Sequence, residues 1–123
     1  MSTFSIRHRL RSFGYAFQGA KTLIVSQHNV WIHTTATVAV VIAGFIFHIS
    51  KYEWALLVLA IALVWMVEAM NTALEFLADE VSEEKRPRIG KTKDIAAFGV
   101  LICAIASAII GSIIFLPHLF PAK

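Results

Sequence analysis

Four polar residues lie where an apolar run should continue. Glu68, Asn71, Glu75 and Asp79 follow the segment WALLVLAIALVWMV. Their offsets of three, seven and eleven place them in one stripe of one helix at about 100° per residue. Glu68 lies about ten residues inside the run. A carboxylate there costs about 2.5–3.5 kcal/mol on insertion scales. Folding alone gives no reason to keep it.

Three carboxylates on one stripe repel unless protons or a cation intervene. A divalent ion held by oxygen is one solution, and Mg²⁺ typically takes one or two carboxylates together with phosphate oxygens. The segment that follows supplies basic groups to match phosphate: Lys85, Arg86, Lys91 and Lys93, with Asp94 beside them. Such a set suits a Mg–nucleotide. Burial disfavours a charged carboxylate, which makes the deepest of the stripe, Glu68, a candidate general base for a lipid hydroxyl. Glu75, nearer the edge, is a candidate metal ligand. A positioned nucleophile, a metal and basic groups are the elements of phosphoryl transfer. The competing readings are a polar stripe that glues protomers together, a solvated basic loop, and a purely structural membrane subunit. A small oligomeric proton-coupled transporter using Glu68 is a further one. The transporter has no need of basic residues opposite a carboxylate ladder, and the structural subunit leaves Glu68 unexplained.

The elements that must hold this stripe are apolar helices. The chain has 123 residues, 58% hydrophobic and 15% charged, with a mean hydropathy of +0.71. Soluble domains are roughly 45–50% apolar and about 25% charged. One all-α membrane-embedded domain is expected over residues 1–123. An amphipathic surface helix is expected at about 4–26, with Leu10, Phe13, Phe17, Ala20 and Ile24 on one face and Arg7, Arg11, Gln18 and Lys21 along a flank. Spans are expected at about 30–49, 54–78 and 95–116, each near the length that crosses about 30 Å of hydrocarbon. A tight turn at Ser50–Glu53, a polar connection from Asp79 to Asp94, and helix termination at Pro117 and Pro121 complete the reading.

Charge placement sets the orientation. Arg7, Arg9, Arg11 and Lys21 flank the first span, and Lys85, Arg86, Arg88, Lys91 and Lys93 lie between the second and third. By the positive-inside rule the N-terminus and the 79–94 connection are cytoplasmic and the C-terminus is outside. The basic residues flank membrane segments, so nucleic acid is not an expected partner. No signal-peptide pattern is visible. Cys103 is alone and reads as a small hydrophobe. His33 and His48 stand at opposite ends of the first span, about 22 Å apart, too far to share a metal. Interfacial hydrogen bonding is the expected role of both, and His118 belongs to the outer side.

Val67 to Asp79, V-E-A-M-N-T-A-L-E-F-L-A-D, and Lys91 to Ala97, K-T-K-D-I-A-A, closely resemble the bacterial diacylglycerol kinase/undecaprenol kinase family, and G-Y-A-F-Q-G at Gly14–Gly19 is also similar. The resemblance runs from about Arg7 to Leu116. It implies a homotrimeric, ATP- and Mg²⁺-dependent lipid kinase of the bacterial inner membrane, with no P-loop and diacylglycerol or undecaprenol as acceptor. It implies Glu68 as catalytic base, Asn71 as a positioning residue and Glu75 as Mg²⁺ ligand. It places Tyr15, Asp79, Glu84, Lys85, Arg86, Lys93 and Asp94 around the nucleotide. Ala97 completes a K-D-x-A-A sequence that leans toward undecaprenol kinases. An arginine usual near the N-terminus aligns with His8, between Arg7 and Arg9. Where many members carry a glutamate as second metal ligand, this chain has Gln27, whose amide oxygen can ligate a hard cation without charge.

Overall fold

The computed structural model describes residues 4–123. Four α-helices follow one another: α1 (Ile6–Ser26), α2 (Asn29–Ile46), α3 (Lys51–Val81) and α4 (Pro87–Leu119). No strand occurs among the described residues. α2, α3 and α4 are each long and apolar enough to cross a membrane. At 1.5 Å per residue α3 reaches about 46 Å, so it outruns the hydrocarbon and carries its polar end beyond it.

α3 and α4 pack side by side along much of their length. α2 leans on α3 over a shorter stretch, and α1 touches the bundle lightly. Most large apolar side chains face outward, Ile42, Leu59, Ile102 and Ile109 among them. Lipid is a good solvent for that surface, so the bundle needs only a small core. That core lies toward the α2–α3 turn, where Ile49, Leu57 and Ile114 are buried with Trp54, Phe47 and Phe115 around them.

The α2–α3 turn is a Schellman cap. The Ile49 N–H donates to the Gly44 carbonyl and the His48 N–H to the Phe45 carbonyl. His48 takes the left-handed conformation, φ 51°, where glycine is usual. Its ring Nδ1 lies 3.0 Å from the Ile46 carbonyl, so this histidine bonds its own backbone. Gly44 is required for a different reason: a Cβ there would meet the Trp54 ring at 2.7 Å. Ser50 and Glu53 then form a capping box that starts α3.

Two expectations about the chain after α3 are corrected. The Asp79–Asp94 connection is mostly helical, and only Ser82–Arg86 separate α3 from α4. Pro87 opens α4 because its fixed φ and missing N–H suit the first turn. Lys91, Lys93 and Asp94 are therefore helix residues. Pro117 does not by itself end α4, which runs to Leu119 and stops short of Pro121. In the last turn a proline deletes a single backbone bond, so the helix survives it.

Candidate active site

The stripe forms as its spacing requires. Glu68 is 1% exposed, Asn71 and Glu75 are half-buried, and Asp79 is exposed at the end of α3. The Asn71 amide Nδ2 donates to Glu75 Oε1 at 3.2 Å, a bond between residues one turn apart. Lys93, on the first turns of α4, donates to Asp79 Oδ1 at 2.6 Å. That hydrogen bond holds the Lys93 ammonium above its ordinary pKa of 10.5, with the charges of Asp79 and Glu75 adding to it.

Asp79 and Lys93, with Glu84, Lys85 and Arg86 of the short loop and Pro87, Ile89 and Gly90 at the start of α4, line a cavity of about 710 Å³. Five of the residues expected around a nucleotide are thus brought together. Asp94 and Tyr15 do not line it; both are exposed, on α4 and α1. Ala97 is exposed one turn beyond Asp94. Gln27 caps the C-terminus of α1 with its backbone N–H on the Leu23 carbonyl and is half-buried at the joint with α2.

Among the described residues no three His, Cys, Asp or Glu side chains converge on a metal-sized site. The donors along the stripe are nevertheless hard oxygens: the Glu75 carboxylate, and Asn71 Oδ1, which is sealed from solvent and has no hydrogen-bond partner. One carboxylate and one amide oxygen fit Mg²⁺ arriving with phosphate, which supplies its own oxygens, and not a cage made by protein alone.

His33 is placed differently from the sequence reading: its ring faces α3. From the second turn of α2 its Nε2 lies 3.4 Å from Glu68 Oε2, with the two side chains 16% and 1% exposed. The Trp65 ring stands edge-on to the imidazole at 6.4 Å. Trp65 Nε1 donates to Thr37 Oγ1 at 3.0 Å, and Thr37 donates to the His33 carbonyl at 2.7 Å. No local signal could reveal this, because 35 residues separate His33 from Glu68. The i, i+4 spacing of His33 and Thr37 marks a shared face without naming what it meets. Thr72 is a second residue the sequence reading passed over. It is buried one turn past Glu68, its hydroxyl lacks a partner, and it borders an apolar groove of about 610 Å³ between α1 and α3.

Comparison with known proteins gives a consistent set. Residues 14–115 match the family model described as prokaryotic diacylglycerol kinase. An undecaprenol kinase of Bacillus subtilis is 36% identical over 109 residues, 89% of each chain. A diacylglycerol kinase of Synechocystis is 39% identical over 111 residues, 89% of this chain and 63% of the relative. The diacylglycerol kinase of Escherichia coli K12 is 24% identical over 109 residues, 89% of each chain.

Proposed function

This chain belongs to the prokaryotic diacylglycerol kinase family and is a multi-pass membrane lipid kinase, and from that premise we propose that it moves the γ-phosphoryl group of ATP onto a lipid hydroxyl at the cytoplasmic face of the bacterial inner membrane. The observation that carries the reading is the continuity from Glu68, buried among apolar helices, through the Asn71–Glu75 bond to the Asp79–Lys93 cavity. A lipid hydroxyl approaches from one end of this line and a nucleotide from the other.

Glu68 takes the hydroxyl proton. The freed oxygen forms a bond to the γ-phosphorus as the bond from that phosphorus to the bridging oxygen of ADP breaks. Asn71 orients Glu75, and Glu75 is the residue that would hold Mg²⁺, with Gln27 as a neutral second donor. When bound, the ion supplies charge neutralisation of the phosphate oxygens. Lys85, Arg86 and Lys93 bind phosphate, Asp79 fixes Lys93, and Glu84, Asp94 and Tyr15 complete the nucleotide contacts. Ala97, like Asn71, positions the substrate. Undecaprenol or diacylglycerol is the acceptor. The K-D-I-A-A sequence supports undecaprenol. The working unit is a homotrimer with its N-terminus and the α3–α4 loop in the cytoplasm and its C-terminus outside, an orientation supported by the Lys/Arg asymmetry.

The test is transfer of label from γ-labelled ATP by purified protein in lipid, with each of the two lipids offered alone and then in competition. Label in the organic phase that depends on Mg²⁺ and on Glu68 is the expected result. Label appearing in neither lipid would end this reading.

A further inference from the structure

A carboxylate sealed inside an apolar bundle needs a partner. Taking an ion from water costs several kcal/mol even after relaxation, and the partner has to recover it. Glu68 Oε2 is sealed, and no hydrogen bond satisfies it. Among the described residues His33 is the one basic side chain within ion-pair range of it. The other neighbours offer none. The α1 residues that line the neighbouring groove with Trp65 and Thr72 are Ala16, Gly19, Ala20, Thr22 and Leu23, none of them charged. α4 has no charged residue between Asp94 and His118. Lys93 is engaged by Asp79.

We propose that His33 is a positioning residue for Glu68: its Nε2–H holds Oε2, so that Oε1 is the oxygen presented to the lipid hydroxyl. The separation of 3.4 Å is slightly beyond a direct N–H···O bond, and a small rotation of the ring closes it. The rest of the contact is built to keep that ring in place. Thr37 ties the His33 backbone to the Trp65 indole, and Trp65 borders the imidazole by its edge. His33 and Thr37 on α2 thus form two rungs with Glu68 and Trp65 on α3. Both rungs fix one carboxylate orientation without touching nucleotide. A base free to turn spends much of its time misaligned, and misalignment costs turnover and not ATP affinity.

The inference rests on the kinase reading, so its test has one arm that needs no catalysis. Gln and Asn are similar amides of different reach. The Gln amide nitrogen falls near the position of histidine Nε2, and that of Asn stops near Nδ1. His33→Asn and His33→Leu are expected to lower kcat on the order of 10–100-fold with KM for ATP unmoved, the loss expected for a hydrogen bond to a charged group. His33→Gln is expected to recover most of that loss. In protein without lipid or ATP, the infrared carboxyl band of Glu68, isolated by difference against Glu68→Gln, should shift in His33→Asn and return toward wild type in His33→Gln. Equal losses in the Gln and Asn variants, a change confined to KM for ATP, or an unmoved Glu68 band would overturn the proposal. The band is readable even if neither lipid proves to be the acceptor, so failure of the kinase reading is told apart from failure of the pair.

Discussion

The two halves of the bundle treat polar groups in opposite ways. At the α2–α3 turn every device closes: a Schellman cap, a capping box, and His118 Nε2 3.6 Å from Glu53 with its ring stacked on Phe47. The buried core lies there too. Toward the α3–α4 loop the bundle opens into grooves. Among the described residues, the three buried side-chain atoms that make no hydrogen bond, Glu68 Oε2, Asn71 Oδ1 and Thr72 Oγ1, all fall within residues 68–72. Nothing in helix packing demands three unsatisfied groups in little more than one turn, since each costs about 1–3 kcal/mol. One half of the molecule is arranged for stability and the other withholds stability for a ligand, the division expected where local rules are broken at a functional site. Substitutions in the loop half should therefore damage turnover and spare folding, and those in the turn half should do the reverse.

The largest effect expected is that of Glu68→Gln. It keeps volume and hydrogen bonding and removes the base. Lipid phosphorylation should fall by about 10²–10⁴, the range for loss of a general base, while assembly in detergent and KM for ATP hold. Near-normal turnover in that variant would remove Glu68 from the chemistry and leave the orphaned groups without a purpose. Thr72→Val comes next. Trading an unpaired buried hydroxyl for a methyl should leave the thermal midpoint equal or higher. Turnover should drop by up to about tenfold if the hydroxyl bonds the lipid. A variant both less stable and fully active would place Thr72 in the packing and break the division.

Gly44→Ala probes the other half. The new methyl meets Trp54 ring atoms at 2.7 and 2.9 Å, and Trp54 is itself packed on Phe45 with centroids 4.9 Å apart. Overpacking of about 1–3 kcal/mol set against about 1 kcal/mol of gained helix propensity leaves a net loss of about 1 kcal/mol. Thermal unfolding in detergent should show it. Activity per folded protein should not change.

The same division explains what was legible in the sequence. Helices long enough to span were visible because lipid imposes length and apolarity on contiguous residues. The 68–71–75–79 stripe is visible because it lies on one helix, whereas the Lys93–Asp79 contact needs α4 laid against α3, and in the sequence only the family resemblance groups the two residues. The extent of α4 is masked by the polarity of residues 87–94, although Pro87 favours a first helical turn, and at the other end by Pro117, which the last turn tolerates. His33 was hidden for a different reason. Its meaning arises only when α2 is laid on α3, and a histidine near the end of an apolar run reads as interfacial until its partner is seen.

The smallest effect belongs to Glu53. The backbone N–H of Ser50 donates to its Oε2 at 2.7 Å, and this bond is the chief reason its carboxyl stays below the ordinary value of 4.5, with the Ser50 hydroxyl and His118 contributing against some desolvation. A folded-state pKa below the unfolded one adds stability that is fully present above the unfolded value and is lost as pH falls through the folded one. Glu53→Gln keeps an acceptor for the cap and removes the charge. Wild type should thus unfold at a slightly higher temperature than Glu53→Gln above about pH 5. The two curves should converge as pH drops well below 4.5. Thermal scans in detergent from about pH 3 to pH 7 read this directly. The group is half-exposed at the helix end and screened, so the gap should also narrow with added salt. A difference that persists at low pH would mean that the amide disrupts the cap itself. A difference that appears in turnover per folded protein would mean that the turn half communicates with Glu68, and the separation of the two halves would fail at its most weakly loaded point.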